Sequence, residues 1–153
     1  MTVEARLKEL NIALPTPPAP VASYVPFVVS GKHVYISGQV TLTAEGLKYV
    51  GVVGKDVTIE DGKAAARLCG LNVIAQAKAA SGGDLDRIKR IVKVTVFVNA
   101  APGFTQHPEV ANGASDLFVE VFGEAGKHAR SAVGAASLPR NVATEVEAIL
   151  EIV

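Results

Sequence analysis

A chain of 153 residues, 49% of them apolar, is the size of one globular domain and can bury a core without disulfide or metal staples. Lys plus Arg and Asp plus Glu number 15 each, so the net charge is zero. The basic excess that phosphate binding draws on is missing, and RNA or DNA is not expected as the main partner. Cys69 is the only cysteine, which excludes an internal disulfide and a thiolate metal cage. The start, Met1 to Arg6, is too polar for the apolar core of a signal peptide, and no run approaches the ~20 apolar residues of a membrane span. A soluble cytoplasmic protein is the expectation.

In chain order, Thr2 to Leu10 reads as a short helix capped by Thr2, with Val3, Leu7 and Leu10 on one stripe. The stretch Leu14 to Pro20 carries Pro15, Pro17, Pro18 and Pro20, so it cannot be helical and should lie extended on the surface or across a neighbouring subunit. Pro26–Val29 and Val34–Ile36 read as a hairpin joined by Ser30 to His33. A further strand is expected around Leu47 to Val52. Thr58 to Ser81 is a long helix capped by Thr58 with Asp61 three residues on; Leu68, Leu71, Ile74 and Ala75 are its expected inner face and Gly82-Gly83 its stop.

Ile88 to Asn99 alternates with period two, Val92, Val94, Val96 and Val98 against Lys93, Thr95, Phe97 and Asn99. Pro108 to Phe122 is a second long helix, and Gly113 inside it costs about 1 kcal/mol relative to Ala, so another constraint is expected there. Ala129–Ala136 and Val142–Ile152 close the chain as strands. Two long helices over one face of a mixed sheet make a two-layer α+β domain. Phe97, Ile149 and Val153 leave its second face partly apolar, which suits contact with another subunit.

Several motifs are set aside. Gly51-Val52-Val53-Gly54-Lys55 lacks the four-residue gap of a phosphate loop and has Asp56 where a hydroxyl should bind Mg²⁺. His33, His107 and His128 have no ligand spacing and read as surface or capping residues. Ser37 is not in a nucleophile elbow. Arg87, Lys89, Arg90 and Lys93 read as a solvated rim.

Four segments in order resemble the Rid family of reactive-intermediate deaminases (the YjgF type, with the older label L-PSP endoribonuclease). They are Pro18 to Gln39, with Tyr24 preceding Ser37-Gly38-Gln39; Val94-Thr95-Val96-Phe97-Val98; Phe122-Gly123-Glu124 leading to Ala129-Arg130-Ser131; and Leu138-Pro139 followed by Glu145-Val146-Glu147-Ala148. The match spans about residues 18–153, with residues 1–20 as an N-terminal helix and proline-rich extension. The resemblance implies a chorismate-mutase-like fold and a homotrimer with clefts between subunits. It also implies hydrolysis of enamines and 2-imino acids to 2-oxo acids and ammonia, of the 2-iminobutanoate/2-iminopropanoate deaminase type, with no metal or organic cofactor.

By this resemblance Arg130 binds the substrate carboxylate, Glu145 positions the hydrolytic water, and Tyr24, Ser37, Gly38, Ser115 and Ala132 line the pocket. The residue types suit the chemistry. A guanidinium makes two parallel charge-assisted hydrogen bonds to a carboxylate, and a carboxylate can orient or deprotonate water for attack on an imine carbon. The plainer alternatives are a structural ion pair of Arg130 with Glu145 or Glu120, a solvated Glu145, a half-buried core Tyr24, and turn chemistry at Ser37-Gly38. Two positions depart from the family pattern. Counting back without gaps from Phe122 puts Ser115 where the family has an asparagine, and Ala132 stands where it has a cysteine. These departures motivate a second reading, a non-catalytic binder of 2-oxo acids. The endoribonuclease of the older label ranks third, given zero net charge, three Tyr, five Phe and no Trp.

Overall fold

A computed structural model of the protein describes residues 1–17 and 22–153. The elements are α1 (Val3–Glu9), β1 (Phe27–Ser30), β2 (His33–Gln39), β3 (Leu42–Thr43), β4 (Gly46–Leu47), α2 (Ile59–Ala80), β5 (Ile88–Asn99), α3 (His107–Phe122), β6 (Ala129–Ala135) and β7 (Thr144–Ile152). Five strands form one sheet in the order β1-β2-β7-β5-β6. The β5–β6 pair is parallel and the other pairs are antiparallel, so the sheet is mixed. Both long helices lie on one face, with α2 packed on α3 and on β7. This is the two-layer α+β architecture expected from the pattern.

Local chemistry sets the boundaries. The Thr2 hydroxyl caps α1 by accepting from the Ala5 N–H, and that of Thr58 caps α2 by accepting from Asp61. Leu7 is buried, and α1 is tied to α3 by Arg6 Nε donating to the Glu120 carbonyl. Gly113 is explained by close approach: a Cβ there would overlap the carbonyl oxygen of Lys63 on α2. The two helices meet backbone to backbone at that point, and only glycine fits.

Two expectations need correction. The strand around Leu47 to Val52 is instead the two-residue β4, paired with β3, followed by Tyr49 at φ 51° and Gly51 at φ 140°. Left-handed backbone at two nearby positions ends any ladder. The buried stripe of α2 includes the expected Ile74 and Ala75 together with Ala65, Ala66, Cys69, Val73 and Ala77, whereas Leu68 and Leu71 lie on its flank beside Tyr49. Packed against α3 on one side and the sheet on another, α2 buries its small residues, and its leucines cover the remaining side. The described part of the proline segment, Leu14 to Pro17, runs along Ala75, Lys78 and Ala79 of its own chain's α2. Pro18 and Pro20, together with the start of the Pro18–Gln39 segment, fall on the undescribed residues 18–21. Among the described residues, no helix is long and apolar enough to cross a membrane.

Among the described residues, no helix covers the other face of the sheet. Val28, Tyr35 and Ile149 stand in one cross-strand row, and Phe97 and Val133 in another. Val28 is 51% exposed, Tyr35 47% and Val133 43%, in keeping with the partly apolar second face read from the sequence.

Candidate functional site

Arg130 belongs to the edge strand β6, where it pairs with Val94 and therefore shares that residue's helix-side face. Its Nη1 donates to Asn112 Oδ1 at 2.8 Å and to Ser115 Oγ at 3.2 Å, both on α3. These two acceptors stand one helical turn apart and hold the guanidinium from one side. Among the described residues Arg130 makes no ion pair. The proposed structural pair is therefore not formed: Glu120 bridges to Arg67 at 3.3 Å, and Glu145 is elsewhere.

Asn112 touches Arg130 and is not among the sequence-derived positions. A 3-10 turn, Gly123–Gly126, joins α3 to the loop before β6. Asn112 thus stands beside Arg130, one helical turn before Ser115. The sequence signal was the i, i+3 pair Asn112/Ser115 on an otherwise apolar helix face.

His128 also enters this cluster and corrects its reading as a surface or capping residue. It is half-buried; its Nδ1 lies 2.6 Å from the Gly126 carbonyl oxygen and its Nε2 2.9 Å from Ser115 Oγ. Burial pulls its pKa below the ordinary imidazole range; the Gly126 carbonyl opposes this and the Arg130 charge adds to it. Ala132 pairs with Val96 and lies on the same face as Arg130.

Glu145 is on the opposite face. It pairs with Phe97, three residues from Val94 along a regular stretch of β5, and an odd separation in a strand reverses the face. Its carboxylate lies over the backbone of Gly38, where a Cβ would overlap Oε2. The β2–β7 register shifts between Ile36 and Gln39, so Ser37 and Gly38 form a bulge that brings bare backbone under the carboxylate. Half-burial raises the Glu145 pKa above the usual carboxylate range, and Glu147 adds to the rise. The Ser37 hydroxyl donates to the Val25 carbonyl at 2.8 Å, holding the segment that carries Tyr24 beside the bulge. Tyr24 is 65% exposed, which overturns its reading as a core aromatic.

The seven sequence-derived positions therefore fall into two groups. Arg130, Ser115 and Ala132 sit between β6 and α3. Tyr24, Ser37, Gly38 and Glu145 sit at the β2–β7 side of the other face. Within one chain the structure does not bring Arg130 and Glu145 together. Among the described residues, no group of three or more His, Cys, Asp or Glu is placed to hold a metal ion. Cys69 is buried on α2, and burial pushes its thiol pKa up to about 12 against the opposing Thr144 hydrogen bond.

Comparison with known proteins agrees with this architecture. Residues 4–152 match the family model described as "YjgF/chorismate_mutase-like, putative endoribonuclease". The chain is 50% identical over 98% of its length to Protein TCP17 of Trypanosoma cruzi, covering 94% of that protein. It is 28% identical to the 2-iminobutanoate/2-iminopropanoate deaminase of Dermatophagoides farinae, covering 92% of this chain and 94% of that one. Among solved structures, a "putative endoribonuclease" of Shewanella oneidensis superposes with TM-score 0.94 at 38% identity, covering 99% of this chain and 100% of that one. The TdcF protein of E. coli with bound serine superposes with TM-score 0.64 at 27% identity, covering 90% and 94%. The chain belongs to the YjgF/Rid family.

Proposed function

We propose that the protein hydrolyses small 2-imino acids to 2-oxo acids and ammonia, in sites that each join Arg130 of one copy to Glu145 of another within a homotrimer. The observation that carries the reading is the Arg130 guanidinium, braced on Nη1 by Asn112 and Ser115 and without an ion-pair partner among the described residues. A half-buried arginine without a carboxylate is costly unless an anion completes it. A substrate carboxylate is such an anion, and serine in the TdcF relative is a small molecule carrying one. The exposed Val28, Tyr35 and Val133 favour covering the open face with further copies.

In the reaction, water adds to the imine carbon while its proton passes to Glu145. The same carboxyl gives that proton to the imine nitrogen to form a carbinolamine, then relays the proton of the new hydroxyl to the amine; the C–N bond breaks, ammonia leaves and the oxo group remains. The raised pKa of Glu145 suits both transfers. Tyr24 encloses the substrate and Gly38 offers backbone close to it. Imines hydrolyse readily in water, so orientation and one positioned water are enough to accelerate the reaction. The test is 2-iminopropionate generated in situ by an amino-acid oxidase, with semicarbazide as trap. Wild-type protein should lower trapping and Arg130→Ala should not; unchanged trapping across several amino-acid precursors counts against hydrolysis.

Ala132 favours a second reading, since it puts a methyl group on the Arg130 face where a polar group would aid catalysis. The protein would then bind 2-oxo acids without turnover. Calorimetric binding of 2-oxobutyrate together with unchanged imine trapping selects this reading.

A further inference from the structure

His128 stands two residues before Arg130 and is linked to it through Ser115. The Gly126 carbonyl can only accept, so His128 Nδ1 is the donor in the 2.6 Å contact. In the neutral imidazole Nε2 is then bare and accepts the Ser115 O–H at 2.9 Å. That turns the lone pairs of Ser115 Oγ toward Arg130 Nη1 at 3.2 Å. Phe118 packs edge-on against the imidazole, with ring centroids 5.7 Å apart at 83°, which holds the ring in its plane. The hydrogen bonds run in one direction, from guanidinium to hydroxyl to imidazole to carbonyl.

We propose that His128 is a positioning residue for the Arg130 guanidinium, acting through the Ser115 hydroxyl to set the direction in which the free guanidinium edge faces a carboxylate ligand. The inference rests on the carboxylate-anchor reading of Arg130 and gives that anchor its support. The charged groups on the elements packed around His128 are Arg130 on β6, Glu109, Asp116 and Glu120 on α3, Lys89, Arg90 and Lys93 on β5, and Glu124 and Lys127 around the 3-10 turn. Glu120 pairs with Arg67, Lys127 pairs with Glu124, and Arg90 donates to the Lys127 carbonyl. A carboxylate bound at Arg130 offsets the positive charge facing the imidazole.

The experiment measures 2-oxobutyrate affinity by calorimetry alongside ¹⁵N NMR of the His128 ring and the Arg130 guanidinium. His128→Gln and Ser115→Ala should each weaken binding roughly tenfold, the worth of about one hydrogen bond to a charged group. The double variant should bind no more weakly than Ser115→Ala alone, and Ser115→Thr, which keeps the hydroxyl, should restore affinity. In the wild type the His128 titration should move to higher pH when 2-oxobutyrate binds. Single-variant affinities equal to wild type, or losses that multiply in the double variant, overturn the inference. Should wild type bind no 2-oxo acid, the anchor reading fails. The positioning inference is then decided in the free protein: rotation about the Arg130 Cζ–Nη bonds should be slower in wild type than in His128→Gln, and equal rates overturn it. If His128→Gln does not fold, Ser115→Ala and Ser115→Thr carry the same comparison.

Discussion

Arg130 and Glu145 stand on opposite faces of one sheet: Arg130 shares its face with Val94, and Glu145 shares the other with Phe97. Neither side chain can meet the other's ligand within a single chain, because a five-stranded sheet lies between them. One carries the fixed positive charge and the other a carboxyl with a raised pKa. Chemistry that uses both needs two copies of the chain, which is why the proposed function is tied to an assembly.

Replacing Arg130 separates anchoring from folding. Arg130→Ala should weaken 2-oxobutyrate binding about a hundredfold or more, since two charge-assisted hydrogen bonds of roughly 1.5–3 kcal/mol each are lost. Arg130→Lys should recover little, because a point charge does not reproduce the planar fork. Calorimetry reads the affinity and thermal unfolding reads the fold; a lysine variant with wild-type affinity contradicts bidentate anchoring.

Gly38 and Gly113 should respond differently to alanine. At Gly38 the new methyl meets the end of a flexible side chain, Glu145 Oε2, which can move aside. Gly38→Ala should therefore cost little stability while displacing the carboxylate and lowering turnover at least tenfold. At Gly113 the methyl meets the Lys63 carbonyl, and backbone does not step aside. Gly113→Ala should destabilise by about 1–3 kcal/mol in spite of alanine's better helix propensity. Chemical denaturation of both variants, with imine turnover for Gly38→Ala, checks the contrast.

The raised pKa of Glu145 has a determined sign for stability. The folded protein holds this proton more tightly than the unfolded chain does, so ionising Glu145 costs stability as pH rises from the unfolded carboxylate range through the folded pKa. Glu145→Gln removes that cost. Its Tm should exceed that of wild type at pH 8, and the difference should vanish below about pH 4, where both states are protonated. Turnover should be lost with 2-oxobutyrate binding retained. A Tm difference independent of pH contradicts the assignment.

Cys69 should be silent toward thiol reagents in the native protein. It is buried, touches Thr144 Oγ1 at 3.3 Å, and has its pKa pushed up to about 12. An aromatic disulfide reagent at pH 8 should titrate no thiol until denaturant is added. Rapid reaction in the folded state would mean that α2 opens locally.

The elements were legible where a local rule decided them. Thr2 and Thr58 announced their helices, and the alternation of Val94, Val96 and Val98 announced β5, although irregularities before Lys93 put Ile91 rather than Val92 on the buried row. The α2 face was read correctly at Ile74 and Ala75 and misread at Leu68 and Leu71, because the close contact with α3 at Gly113 and Lys63 favours small residues on the buried side. Most of the candidate site positions came from the family resemblance, and no local pattern indicates on which face each stands. That follows from the strand pairing, the bulge at Ser37-Gly38 and the 3-10 turn before β6, none of which has a period to read. Asn112 and His128 were missed for the same reason: both join Arg130 through tertiary packing.

The central claim is that each site takes Arg130 from one copy and Glu145 from another, and mixed oligomers test it most directly. Arg130→Ala and Glu145→Gln chains, each inactive alone, are co-refolded in equal amounts and assayed for imine hydrolysis. With random assembly, half the copies supply Arg130 and half of their neighbours supply Glu145, so about a quarter of wild-type activity should return. Mixed oligomers that form, as shown by native mass spectrometry, yet stay inactive would contradict the account.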